Sequence, residues 1–196
     1  MPERNAGGAA SGQAGEGAAA RVEALSFGDA GGIPNNPRLP ALLYRGALPP
    51  GDPAAAEARL ARHGWTRAWR NGIFDYHHYH STAHEVLAVV AGTVRVMLGG
   101  PGGRAVGLRA GDVVLLPAGT GHRNLGGSDD LLVVGAYDGG RDYDLLTADS
   151  GGHDAAVARI AAVPDWARDP VTGERHAAPA PDGAPDGAQA GTKAGA

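Results

Sequence analysis

Four of the chain's eight histidines crowd into the stretch from His77 to His84, and a fifth, His122, follows a strand-and-turn segment. In an extended strand, residues two apart share a face, so Tyr76, His78 and His80 project one way while His77 and Tyr79 project the other. Glu85 opens the next apolar run, where Glu85, Leu87 and Val89 share a face, and antiparallel pairing can bring it beside His80. His122 comes after Asp112-Val-Val-Leu-Leu-Pro117-Ala-Gly119, a strand ended by proline and by a glycine bend that can turn a side chain inward. Imidazole nitrogens and a carboxylate oxygen make a donor set for a first-row divalent metal. Three histidines and one glutamate leave about two of six octahedral positions for water or substrate. Fe, Mn, Zn, Ni and Cu all suit such donors. Tyr76 is a candidate catalytic hydroxyl on the ligand face, or equally a core tyrosine bonded to backbone. His77 and His84 are expected at the surface or behind the ligands.

The elements that must position these groups are short. From about residue 25 to 175, β-branched runs alternate with Gly, Pro, Asp and Asn at intervals of about ten residues, the pattern of a sandwich or barrel. Expected strands are Leu42 to Arg45, Thr66 to Arg70, Phe74 to His80, Glu85 to Val90, Thr93 to Leu98, Ala105 to Leu108, Asp112 to Leu116 and Leu131 to Tyr137. One helix is announced by Asp52 as N-cap, Pro53 at its first position and Gly64 as terminator, with Leu60 as apolar anchor. A second runs from about His153 to Val163, with Val157, Ile160 and Ala161 as its apolar stripe and Pro164 as its stop. Gly99-Gly100-Pro101-Gly102-Gly103 lies between two strands with no following Lys-Ser/Thr or helix, so it reads as a hairpin turn and not a phosphate loop.

The spacing of these residues resembles the cupin superfamily. The first cupin motif, Gly-x5-His-x-His-x4-Glu-x6-Gly, is met by Gly72, His78, His80, Glu85 and Gly92. The second, Gly-x5-Pro-x-Gly-x2-His-x3-Asn, is met by Gly111, Pro117, Gly119 and His122, with Gly126 in place of the final asparagine. The segments Tyr-His-His-Tyr-His-Ser-Thr-Ala-His-Glu and Pro-Ala-Gly-Thr-Gly-His, with Asn36-Pro and Trp69-Arg-Asn-Gly, are similar to the YjlB-like group of bacterial cupins. The resemblance implies an all-β double-stranded β-helix, the cupin jelly roll, with a metal in its wide mouth and with the two short helices packed on it. It also implies a homodimer formed through a sheet edge, which would cover exposed strands.

Composition narrows the rest. With 196 residues, 43% apolar and 19% charged, the chain suits one domain. That domain is expected over 25–175, with its metal-site core over 72–126, a disordered arm over 1–24 and a disordered tail over 176–196. A net charge of −4 and the lack of a basic cluster argue against nucleic acid. No apolar run approaches the ~20 residues of a membrane span, and a cytoplasmic location is expected. Without cysteine there is no disulfide, thiolate site or thiol nucleophile, and the only lysine, Lys193, lies in the tail. None of the five serines sits in a Gly-x-Ser-x-Gly elbow. The expected partner is a small molecule. The expected function is a metal-dependent enzyme of dioxygenase, decarboxylase or isomerase type, and the alternative is a non-catalytic ligand-binding or structural cupin. Arg70 could clamp an anionic substrate or form a rim salt bridge. The acidic cluster Asp129, Asp130, Asp138, Asp142 and Asp144 is expected to be a solvated edge.

Overall fold

The computed structural model describes residues 21–175. Among the described residues nine strands form two antiparallel sheets. They are β1 (Arg21–Leu25), β2 (Ala41–Arg45), β3 (Trp65–Asn71), β4 (Glu85–Ala91), β5 (Thr93–Leu98), β6 (Arg104–Arg109), β7 (Val113–Leu116), β8 (His122–Gly127) and β9 (Leu132–Asp138). One sheet has the order β1-β2-β7-β4-β9-β3, and the other β6-β5-β8. From β4 to β9 the chain crosses between the sheets four times, at β4–β5, β6–β7, β7–β8 and β8–β9, as a jelly roll requires.

Alternation along the strands builds two cores. Leu87 and Val89 of β4 meet Val94, Val96 and Leu98 of β5 and Val114 and Leu116 of β7 between the sheets. The other parity of β4, Val86, Ala88 and Val90, packs outward against a second core with Leu60, Trp65 and Trp166. This is why β4 reads as an unbroken apolar run and not as an alternating one.

Helix α1 (Pro53–Arg62) covers that outer face. Asp52 accepts from the Ala55 amide at 2.9 Å, Pro53 takes the first helical position, and Gly64 leaves the helix end at φ +88°. Leu60 is fully buried, so its loss would cost about 2–5 kcal/mol. Helix α2 (His153–Ala162) turns Ala156 and Ile160 inward, and Val163 follows them; Val157 and Ala161 face solvent. Ile160 of the expected stripe is buried as expected, but Ala156 joins it in place of Val157 and Ala161, because α2 packs on Ala118 and Tyr79.

Residues 74–80 form no strand. The chain bends at Asp75 and Tyr76 and then makes two isolated bridges, His78 with His122 and Tyr79 with Leu146. Conversely, β8 and β1 went unforeseen. Their sequences, His-Arg-Asn-Leu-Gly-Gly and Arg-Val-Glu-Ala-Leu, carry little β signal, and pairing with β5 and β2 makes them strands. Of the expected arm 1–24, residues 21–24 belong to β1 and the others lie outside the described residues, as does the tail 176–196. The five residues 99–103 join β5 to β6 as a hairpin loop. Among the described residues no helix is long and apolar enough to cross a membrane.

Candidate metal centre

His78 and His122 face one another at the end of the space between the sheets. The His78 amide donates to the His122 carbonyl at 3.1 Å and the His122 amide returns the bond at 2.9 Å, which sets the two rings 4.0 Å apart. His80 follows two residues on, its carbonyl accepting from the Gly119 amide at 2.7 Å. The parity expected of an extended segment survives here without a strand: His78 and His80 line the cavity, while Tyr79 packs behind with Ile33 and Ala156.

The loop before His122 is braced from the N-terminal side. Buried Asn35 donates to the Gly99 carbonyl at 3.1 Å and accepts from the Gly121 amide at 3.0 Å, and Asn36 donates to the Ala118 carbonyl at 3.0 Å. Gly119 sits at φ +92°, and a Cβ there would stand 2.6 Å from Ile160 Cδ1 and 2.9 Å from the Asn35 carbonyl oxygen, so only glycine fits.

Each of the three imidazoles gives its Nδ1 to a backbone carbonyl: His78 to Tyr76 (3.1 Å), His122 to Thr120 (3.1 Å) and His80 to Asp144. That places the proton on Nδ1 and aims the Nε2 lone pair inward. Ligand nitrogens of the three lie within 4.8 Å of one another, all buried. Glu85 Oε2 stands 3.4 Å from His80 Nε2 and 3.3 Å from His122 Nε2, yet it is buried without a hydrogen-bond partner among the described residues. Charge-assisted hydrogen bonds are about 2.7–2.9 Å long, whereas donors ~2.0–2.1 Å from one shared ion stand about 3.0–3.4 Å apart. An orphaned buried carboxylate oxygen at that spacing fits a divalent cation.

Electrostatics favour the neutral state for two of the three imidazoles. Burial pushes the His122 pKa down to about 3, with His78 adding to the effect, and burial also lowers His78. Both imidazoles are therefore neutral donors near neutral pH. Burial opposes ionisation of Glu85, but His80, His122 and His78 outweigh it and hold its pKa at about 2. Burial likewise opposes charge on His80; the Glu85 carboxylate and the Asp144 carbonyl prevail and raise it.

Behind the cluster stands a relay that sequence reasoning did not find. Tyr137 donates to Glu85 Oε1 at 3.0 Å and accepts from Trp69 Nε1 at 3.1 Å. β4 and β9 pair Glu85 with Tyr137, and β3 and β9 pair Trp69 with Gly135, where a Cβ would collide with the indole. Val133 faces the inner core and Val134 and Ala136 the outer, so counting parity along β9 from Val133 would have marked Tyr137 as inward. Tyr143 stacks on Tyr137 at 4.2 Å and meets His80 edge-on at 5.0 Å.

The cavity above the cluster has a volume of about 270 Å³. Phe74, Tyr143 and Leu145 line its mouth and are among the few large apolar side chains left exposed. Tyr76 does not line the cavity: it is 40% exposed and stacked on Phe74 at 5.1 Å, because the bend at Asp75 breaks the alternation that would have aimed it inward. Arg70 reaches the rim but is engaged by Glu57 at 2.6 and 2.8 Å. His77 is half-buried and outside the cluster. His84, expected at the surface or behind the ligands, is completely buried: it accepts from the Ala118 amide at 2.9 Å and donates to the Pro164 carbonyl at 3.0 Å, tying the second motif's loop to the segment after α2. Asp138 and Asp144 are not a solvated edge either. Asp138 holds the His84 amide at 2.9 Å, and Asp144 accepts from the amide and hydroxyl of Ser81 beside His80.

A family model described as "Cupin domain" matches residues 70–134. Solved structures with a likeness to the chain include acireductone dioxygenase from Bacillus anthracis, with 19% identity, 47% of this chain, 62% of that chain and a TM-score of 0.37. Another is oxalate decarboxylase from Bacillus subtilis, with 20% identity, 55% of this chain, 23% of that chain and a TM-score of 0.31. The chain spans less than two thirds of either, and overlaps this low say nothing of its chemistry. The sequence relationship is closer: the "Uncharacterized protein YjlB" of Bacillus subtilis (strain 168) is 44% identical over 151 residues, covering 76% of this chain and 89% of that protein. With its two-sheet fold and paired histidine motifs, the chain belongs to the YjlB-like cupins.

Proposed function

We propose that His78, His80, Glu85 and His122 hold a divalent metal and that the protein is an enzyme acting on a small molecule. The observation that carries this reading is the buried, unpartnered Glu85 oxygen facing inward-aimed histidine nitrogens. A bound divalent ion supplies Lewis acidity there and, where it is redox-active, electron transfer. The chain's own residues do the rest. Tyr137 and Trp69 orient Glu85, while buried Ile73 and Leu87 keep water from the cavity wall.

The substrate this cavity suits is small and largely apolar, with one or two oxygen donors. Among the described residues its only lining arginine is already paired with Glu57 and so is not free to clamp a distant carboxylate, and the exposed Phe74, Tyr143 and Leu145 offer apolar contact. Dioxygenase, decarboxylase and isomerase chemistry all suit such a ligand. A second reading, a non-catalytic metal-dependent binder, is favoured by one observation. Among the described residues, the ionisable side chains that line the cavity beyond the cluster are Tyr137, Tyr143 and the paired Arg70, with no further carboxylate or imidazole to serve as general base. We propose a homodimer in either case, formed through a sheet edge.

Elemental analysis of purified protein, followed by oxygen-uptake and product screening against enediols, catechols and small keto acids, tests both readings. Stoichiometric metal with turnover supports the enzyme. Metal-loaded protein inert to all three classes supports the binder, and protein that takes up no divalent metal refutes both.

A further inference from the structure

A second groove, of about 660 Å³, crosses the outward face of the small sheet, lined by Arg45, Arg95, Gly107, Arg109, Asp112 and Gly126 among others. Alternation creates it: β5 buries Val94, Val96 and Leu98 and exposes Thr93 and Arg95, while β6 buries Val106 and Leu108 and exposes Gly107 and Arg109. Arg95 lies in register between Gly107 and Gly126, with Arg109 opposite Thr93, diagonal to Arg95 on the same face. Long side chains on diagonal positions reach one another, and like charges there repel. Arg95 and Arg109 make no ion pair or side-chain hydrogen bond among the described residues. Arg45 enters from β2, 2.9 Å from Asp112 and 2.6 Å from the Gly107 carbonyl. Three guanidiniums against one carboxylate leave a cationic groove on a chain of net charge −4.

Among the described residues nothing requires glycine at position 107. Its φ is not positive, a Cβ there would meet nothing within 4 Å, and it sits inside a strand, which glycine weakens. Gly126 differs, since its φ of +127° accompanies the irregular register between β5 and β8. Strand glycines mark bulges, tight bends or sites of close approach, and with regular pairing to Arg95 and no positive φ, Gly107 fits the last.

We propose that this groove binds a small phosphoryl-bearing anion, its charged oxygens held by Arg95 and Arg109 over the bare backbone of Gly107. Guanidinium forks match such oxygens in geometry and charge, and the site is independent of the histidine cavity. The test is a titration of the full chain with inorganic phosphate, followed by amide NMR, with chloride at matched ionic strength as control. Phosphate should give saturating shifts at Arg95 and at Gly107 to Arg109 in the millimolar range, and chloride should not. Arg95→Gln should weaken binding about tenfold, the loss of one charge-assisted contact. Gly107→Val should weaken it at least as much while thermal stability holds or rises, because valine suits an exposed strand. Absence of saturation, or wild-type affinity in either variant, overturns the proposal. So does a dimer, seen by sedimentation, that Arg95→Glu dissociates, since the groove would then belong to a second copy.

Discussion

Replacing Tyr137 with phenylalanine removes one oxygen atom and keeps the ring, its volume and its stack on Tyr143. The lost hydroxyl is what Glu85 Oε1 leans on at 3.0 Å and what Trp69 Nε1 donates to at 3.1 Å. A hydrogen bond to a charged group contributes about 1.5–3 kcal/mol. Because Glu85 Oε2 already lacks a hydrogen-bond partner, Tyr137→Phe strips the buried carboxylate of its hydroxyl donor and should destabilise the metal-free protein by about 2–3 kcal/mol. On the metal-binding reading, the looser Glu85 should also weaken metal affinity about 10–100-fold, the usual cost of losing a partner behind a ligand. Competition against a chelator of known affinity measures the second effect, and urea unfolding of chelator-treated protein the first. Tyr143→Phe is the control, since Tyr143 touches the cluster through its ring. Metal affinity within about twofold of wild type in a folded Tyr137→Phe protein would refute the positioning role, for a merely structural tyrosine moves stability and leaves affinity alone.

Further outcomes follow from the same geometry. His78→Ala combined with His122→Ala should abolish metal binding by elemental analysis yet leave a cooperative unfolding transition, because their pairing is through backbone; unchanged metal content would refute the ligand assignment. His84→Ala should destabilise the fold by about 2–4 kcal/mol, leaving the Ala118 amide unpaired and a cavity beside Trp166, while the folded protein still loads metal in full. Metal-free protein should lose stability on acidification. Burial lowers His84 and takes His122 to about 3, against about 6.5 unfolded, so the unfolded chain takes up protons the folded one refuses. Their contribution is whole above about pH 6.5 and is lost as pH falls towards 3; Glu85, held at about 2, adds to the loss below about 4.5. His80, raised, acts in the opposite sense and loses its contribution as pH rises through its folded value. The urea midpoint should therefore fall between about pH 7 and pH 4, and a midpoint that rises would contradict burial of neutral imidazoles.

What sequence alone determined was local: residue types at fixed spacings and the signals that start and stop elements. His78, His80 and Glu85 could be marked as candidate donors because they lie within eight residues of one another, and His122 because it follows a strand and glycine bend at the spacing of the second cupin motif. Asp52, Pro53 and Gly64 delimited α1 because capping involves only neighbouring residues. Tertiary structure decided whatever depends on register between distant segments. Whether residues 74–80 form a strand depended on partners at His122 and Leu146, and their bend cost Tyr76 its place in the cavity. Tyr137 reaches Glu85 across 52 residues, and Trp69 reaches Tyr137 across 68, through strand pairings that no local pattern encodes. The same holds for His84, whose burial follows from three chain segments meeting around it. A side chain's chemistry is set by its own covalent structure, but its solvation and its partners are set by the packing of segments far apart in the chain.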